Sequence, residues 1–246
     1  MKILLLSDLS NRVPKIPIEV IQSCDCVLLA GDITMGARSE RLIIKVFTKL
    51  AALFPAPLPV FFIPGNHDHP DLMESPSYIP ENFFQMHNKI SMFSPEVENS
   101  DIKSLLLLGF GGATPIPGFP SGPGPNYITF TEDELRDQLT NLFSETTYLR
   151  KNASICTILF VHNPPFNTTL DLTHQLVHVG SKSVRDIIEN YFPEVFIAGH
   201  IHESKSIESL GDTLMINPGE AKYGHYAVID ISKNQITSKL AKVEKA

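Results

Sequence analysis

Pro64-Gly65-Asn66-His67-Asp68 follows an apolar run over residues 59–63 and precedes Pro70. The run reads as a buried strand, and the flanking prolines and glycine mark a tight turn off its end. The turn sets an amide oxygen, an imidazole and a carboxylate in consecutive positions. An amide oxygen can ligate a metal, and an imidazole can ligate one or move a proton near neutral pH. One such turn carries little weight. Four further strand ends of similar build change that.

Residues 2–7 read as a strand ending at Asp8, and residues 26–30 as a strand ending at Gly31-Asp32. Residues 13–17 are a proline-rich loop. Apolar residues at Leu42, Ile43, Val46, Phe47, Leu50 and Leu53 predict an amphipathic helix over 39–54 with Ser39 as its N-cap. Residues 70–95 are polar and broken by prolines, with one short helix expected near 80–86. A strand over 103–108 leads into 109–125, which holds six glycines and five prolines. This segment is either a lid over a site or a stiff surface excursion. A capping box, Thr131 to Glu134, opens a helix expected over 131–151. Residues 155–161 form a strand ending at His162, 181–190 a helix, and 195–198 a strand ending at Gly199-His200-Ile201-His202. Residues 205–210, 213–217, 226–231 and 236–242 are short strands split by turns, the pattern of a meander. Alternating strands and helices followed by a hairpin-like tail predict an α/β fold with two packed sheets flanked by helices. No boundary divides residues 1–246, so one domain is expected.

The chain has 246 residues, 43% hydrophobic and 19% charged, with a net charge of −7. This suits a globular protein and excludes a basic footprint for duplex nucleic acid or an anionic membrane. Cys24, Cys26 and Cys156 are too few for a disulfide framework, and Cys24-Asp25-Cys26 has no second thiol pair to complete a metal site. No stretch resembles a signal peptide or reaches the ~18 apolar residues of a membrane span. The expected location is the cytoplasm.

Asp8, Asp32, Asn66-His67, His162 and His200-x-His202 thus each follow an apolar strand. Strand ends of α/β folds face a common edge where ligands bind. In an extended segment residues two apart share a side, so His200 and His202 are expected to face one site. An Asp/Asn/His shell suits Mn²⁺, Fe²⁺, Zn²⁺ or Co²⁺ better than Ca²⁺, and the lack of thiolates argues against structural zinc. Such a set can hold two divalent ions, one carboxylate bridging at ~3.5–4 Å separation.

The series Asp8, Gly31-Asp32, Gly65-Asn66-His67-Asp68, His162 and Gly199-His200-Ile201-His202 resembles the calcineurin-like metallophosphoesterase superfamily over residues 1 to 231. The resemblance implies a four-layer αββα sandwich and a dinuclear metal centre. It implies that Asp8, Asp32 and His202 hold the first ion and Asn66, His162 and His200 the second, with Asp32 bridging. His67 would donate a proton to the leaving oxygen. Asp68 either orients His67 or caps the turn. The implied activity is hydrolysis of a small-molecule or nucleotide phosphomonoester or phosphodiester by metal-activated water. His178-x-Gly-Ser181, Gly-His-Ile-His-Glu203 and Asn217-Pro218-Gly219-Glu220 resemble a subgroup of small microbial-type phosphoesterases.

Two departures stand out. The family's first motif is Asp-x-His, and here it is Asp8-Leu9-Ser10. A hydroxyl is a poorer ligand than imidazole, so the first ion should be held weakly or its shell filled by water, Ser10 or Asn11. This departure also supports a second reading, a catalytically impaired binding or scaffold protein on the same fold. Gly31-Asp32-Ile33-Thr34-Met35-Gly36 lacks the Asp-Arg-Gly continuation of the protein phosphatases, which argues against a protein substrate. His69, His174, His178 and His225 read as loop histidines, with His174 or His178 able to supply a substitute ligand or touch substrate and His225 the nearer of the other two to the metal edge. Asn163 and Asn217 are candidate phosphate contacts. The segments able to wall the site are 70–95, 109–125 and 164–179. The expected partner is a small phosphate ester, and a homo-oligomer is possible.

Overall fold

The computed structural model describes residues 1–36, 39–95, 101–116, 127–232 and 235–243. Twelve strands form two six-stranded sheets among the described residues. The first sheet is built on β1 (Lys2–Leu6), β2 (Cys26–Ala30), β3 (Val60–Ile63) and β4 (Phe83–Gln85), all parallel, with β11 (His225–Ile231) antiparallel beside β1 and β12 (Ile236–Lys242) antiparallel beside β11. The second is built on β6 (Ser104–Phe110), β7 (Ile155–Val161), β8 (Val195–Ile197) and β10 (Thr213–Asn217), also parallel. Its antiparallel edges are β5 (Lys89–Phe93) and β9 (Ser206–Leu210).

Alternation along these strands sorts the core into three slabs. Ile3, Leu5, Leu28 and Ile63 face Leu105, Leu107, Ile158 and Ile197 in the space between the sheets. Leu4, Leu6, Leu29 and Phe62 face outward onto Ile43, Val46, Phe47 and Leu50 of α2 (Glu40–Leu53). Leu106, Leu159 and Phe196 face outward onto Leu135, Leu139 and Phe143 of α3 (Glu132–Glu145) and Val184, Ile187 and Ile188 of α4 (Lys182–Tyr191). A strand apolar on both faces therefore means a sheet covered on both faces. The result is the expected four-layer αββα sandwich of two mixed sheets flanked by helices.

Several elements differ from expectation. A short helix, α1 (Ile18–Gln22), follows the proline loop. The helix expected near 80–86 is strand β4 instead: Phe83 and Gln85 are buried while Phe84 is exposed, a period of two. The following β5 starts the second sheet, so the chain changes sheets within residues 86–88. The helix opened by the Thr131–Glu134 capping box stops at Glu145. There the buried Thr146 hydroxyl donates to the carbonyls of Leu142 and Phe143, and a 3-10 turn, Leu149–Lys151, replaces the last part. Ser39 caps α2 by its extended backbone, without a side-chain hydrogen bond. The tail is not one meander. The β9–β10 hairpin belongs to the second sheet and the β11–β12 hairpin to the first. In the segment 109–125, Gly109 and Phe110 finish β6, and residues 117–126, where most of the lid reading falls, lie outside the described residues. No helix among the described residues is long and apolar enough to cross a membrane.

Candidate metal centre

The C-terminal ends of β1, β2, β3 and β7 bring Asp8, Asp32, Asn66 and His162 to one edge. Asp8 and Asp32 occupy left-handed backbone, with φ of +56° and +50°. The turns are interlocked: the N–H groups of Asp8, Ser10 and Asn11 donate to the carbonyls of Gly31, Asp32 and Ile33. Gly31 has φ of +94°, and a Cβ there would collide with His162 Nδ1, so only glycine lets the β2 turn pass beneath the imidazole.

Asp8, Asp32 and His162 are buried, and one potential ligand atom from each lies within 4.8 Å of the others. His162 Nδ1 sits 2.7 Å from the Ala30 carbonyl. That contact fixes Nδ1–H as the donor and turns Nε2 inward, 3.6 Å from Asp32 Oδ1. Asp32 Oδ1 also accepts the His67 N–H at 2.9 Å. Asp8 Oδ2, Asn66 Oδ1, His162 Nε2 and His200 Nε2 are buried with no hydrogen-bond partner. Each unpaired buried polar atom costs about 1–3 kcal/mol. Four ligand-type atoms in that state, gathered from one strand-end edge, fit a site for divalent cations. The set is oxygen and imidazole nitrogen without sulfur, as expected for Mn²⁺, Fe²⁺, Zn²⁺ or Co²⁺.

His200 and His202 both join the site, though not by strand alternation. His200 has φ of +67°, and the Ile201 and Ser204 N–H groups close turns onto Gly199 and Ile201. The rings part around the turn. His200 lies against His162 with ring centroids 5.1 Å apart. His202 places Nε2 3.3 Å from Asp8 Oδ1 and Nδ1 3.0 Å from Glu220 Oε1. Lys222 Nζ completes the row on Glu220.

Charge follows this arrangement. Burial pushes the Asp32 carboxyl up, but His162 and His67 outweigh it and hold the carboxyl well below the usual range. Burial pushes the His162 ring down, yet Asp32, Asp8 and the Ala30 carbonyl raise it to about 9. His202 is raised as well, against burial, by Asp8 and Glu220. His200 is different: burial and the neighbouring His162 push it down to about 3, leaving it neutral and ready to donate a lone pair.

Asp68 takes the turn-capping role and not the orienting one. Its fully buried carboxylate accepts the N–H groups of Ile33, Thr34 and Gly65 and the Thr34 hydroxyl. This saturates it and bolts the β2 turn to the β3 turn. His67 is half-buried and meets Tyr127 edge-on at 5.2 Å. Ser10 and Asn11 are both left-handed, with φ of +47° and +68°. The Asn11 amide donates to the Met35 carbonyl, and its Oδ1 is buried without a partner.

Other candidates have structural partners. The Asn217 amide is fully buried and spent on the carbonyls of Gly199 and Ile201, so it shapes the His200–His202 turn instead of meeting phosphate. Asn163 donates to Thr114 Oγ1. His69 caps a 3-10 turn through Asp71, His174 donates its N–H to Glu203, His178 pairs with Asp171, and His225 Nδ1 faces Lys205 at 3.3 Å. Sequence reasoning gave no role to Glu220, Lys222 or Tyr127. Glu220 had a signal in its Asn-Pro-Gly-Glu turn; Tyr127, after a glycine-proline loop, had none.

Comparison with known proteins bears on the family and the fold. The family profile described as "Metallophosphoesterase, calcineurin superfamily" matches residues 145–240. The chain is 31% identical over 240 residues to the uncharacterized protein MJ1162 of Methanocaldococcus jannaschii, covering 96% of this chain and 94% of that one. TT1561 of Thermus thermophilus superposes with a TM-score of 0.64 at 18% identity, covering 97% of each chain. A dimetal phosphatase from Danio rerio superposes with a TM-score of 0.58 at 14% identity, covering 98% of this chain and 96% of that one. By the matched profile and the relative that covers nearly the whole chain, the chain belongs to the calcineurin-like metallophosphoesterase superfamily.

Proposed function

We propose that this protein hydrolyses the phosphate ester of a small molecule or nucleotide, a monoester or diester, at a two-ion divalent centre. The observation that carries this reading is the set of buried, partnerless ligand atoms on Asp8, Asn66, His162 and His200 beside the half-buried His67. Asp8, Asp32 and His202 would hold one ion and Asn66, His162 and His200 the other, with Asp32 shared. Divalent ions there would neutralise phosphate charge and lower the pKa of bound water. The chain's own part is orientation and proton delivery. The His67 backbone N–H is tied to Asp32 Oδ1, which anchors the main chain that carries the candidate acid beside the shared ligand. A general acid so placed contributes about 10²–10⁴-fold. The cytoplasm is part of the same proposal, and the three cysteines are free and buried.

Ser10 favours a second reading, a binding protein whose first ion is poorly held. Elemental analysis of the purified protein, with hydrolysis of phosphate esters assayed in each divalent ion, separates the two. The enzyme reading expects hydrolysis that Asn66→Ala and His67→Ala both suppress. No hydrolysis in any ion, with metal content unmoved by Asn66→Ala, overturns it.

A further inference from the structure

The loops after β6 and β7 wall a cavity of about 440 Å³ lined by Thr114, Glu132, Phe166, His178 and Lys182 among others. That volume lies in the range of small-molecule sites. One hydrogen bond joins its wall to the candidate metal centre: Thr114 Oγ1 accepts from Asn163, the residue after His162. Thr114 thus ties this wall to the residue that follows the ligand-type His162 at the end of β7.

The wall is built, not draped. Asp171, fully buried, accepts the N–H groups of Asn167, Thr168 and Gly180 and lies 2.7 Å from His178 Nδ1. It thereby fixes the ring, and His178 Nε2 makes no hydrogen bond among the described residues. The Phe166 backbone is pinned on both sides, its N–H to Ser181 and its carbonyl to Arg185. Lys182 Nζ lies over one face of the Phe166 ring, 5.5 Å from its centroid, and makes no ion pair among the described residues, while His178 meets the ring edge-on at 6.0 Å. The opposite face is the one a ligand would stack on. Glu132 is spoken for, since its carboxylate accepts from the Ser181 hydroxyl and the Lys182 and Ser183 N–H groups at the start of α4. What remains for a ligand is an aromatic ring, an ammonium, an imidazole nitrogen and the Thr114 hydroxyl proton.

We infer that this cavity is a subsite for a planar heteroaromatic group, the base of a nucleotide, stacked on the face of Phe166 opposite Lys182, with its polar edge reaching past the rim of the ring toward Lys182 and His178. This rests on the phosphoesterase reading for the rest of the substrate. A lipid chain would leave the ammonium and imidazole unpaired, whereas a base has a π-face for the ring and acceptors for the donors.

The test uses the full chain with Phe166→Ala, Phe166→Leu and Lys182→Ala. Adenosine and uridine, which lack phosphate, are titrated by calorimetry or ligand-observed NMR. The kcat/KM values for their monophosphates and for glycerol phosphate are measured beside them. Loss of base stacking should weaken nucleoside binding by roughly 5- to 150-fold, with kcat/KM for the nucleotide falling in step and glycerol phosphate unmoved. Phe166→Leu keeps an apolar side chain and removes the ring, so it should match Phe166→Ala. Nucleoside binding that is absent in the wild type, or intact in Phe166→Leu, overturns the subsite. Nucleoside binding that depends on Phe166 while no ester is hydrolysed overturns the phosphoesterase reading and leaves the subsite standing.

Discussion

Glu220 Oε1 lies 3.0 Å from His202 Nδ1, on the far side of the ring from Asp8. The charge contact leaves Nδ1 toward Glu220 and Nε2 toward Asp8. Carboxylates placed behind ligating histidines typically raise metal affinity 10–100-fold. Glu220→Gln should therefore lower divalent-ion affinity by roughly that factor, read by competitive titration with a chelating dye, with the circular dichroism spectrum unchanged. An unaltered affinity would remove Glu220 from the centre.

The paired carboxylates and imidazoles give two pH dependences of opposite sign. In the metal-free protein, the raised His162 contributes stability that is complete below its unfolded value of 6.5 and is lost as pH rises through about 9. His200, held neutral, acts the other way: below 6.5 the unfolded chain takes a proton that the folded one refuses, and stability falls with pH. Asp32 adds stability above its unfolded value of 3.8 that is lost as pH falls below it. Thermal midpoints of chelator-treated protein should peak near pH 6.5. Affinity for the ion that His162 would hold should instead keep rising toward pH 9, because that ion displaces the His162 proton. Calorimetry in buffers of different ionisation enthalpy should show that proton released at pH 7.

Asp68 and His67 are neighbours with separable roles. Asp68→Ala strands three buried N–H groups, each worth about 1–3 kcal/mol. The thermal midpoint should fall by about 6 °C or more, at roughly 2–4 °C per kcal/mol for a chain of this size. His67→Ala should leave the midpoint within about a degree and cut turnover about 10²–10⁴-fold. Equal midpoints for the two variants would contradict the clamp.

Ser10→His restores an imidazole where the family carries one. Histidine is among the side chains that tolerate positive φ, so the φ of +47° does not forbid it. The number of tightly bound ions per chain should rise toward two, measured by elemental analysis after gel filtration. A stoichiometry unchanged from wild type would place the weak ligand elsewhere.

Much of this was legible in the sequence because a sheet covered on both faces writes itself as an unbroken apolar run. β2, β3 and β7 follow their apolar runs for that reason, while β10 and the half-exposed edge strand β12 match because turns bound them. β4 was misread because three residues around two phenylalanines are too short to show a period. The site's ligands were legible as strand exits, yet their geometry was not. His200 and His202 meet the site through a left-handed turn that no alternation rule describes. The turn of Glu220 showed in sequence but its contact with His202 did not, and the contact of Tyr127 with His67 depends on a chain crossing that leaves no local trace. Asp68 showed its chemistry in sequence, but only its burial decided between two uses.

The pairing of β1 with β11, Lys2 opposite Asp230 through Leu5 opposite Ala227, also sets a timetable for synthesis. Asp8, Asp32 and Asn66 leave the ribosome well before His202, Glu220 and the strand that shields β1. Until those emerge, His67 and His162 can balance Asp32 but Asp8 lacks its imidazole, His202. Closure of the first sheet and completion of the candidate metal centre are thus one late event, and a ribosome-bound intermediate stalled before residue 217 should be open along β1 and poor in metal.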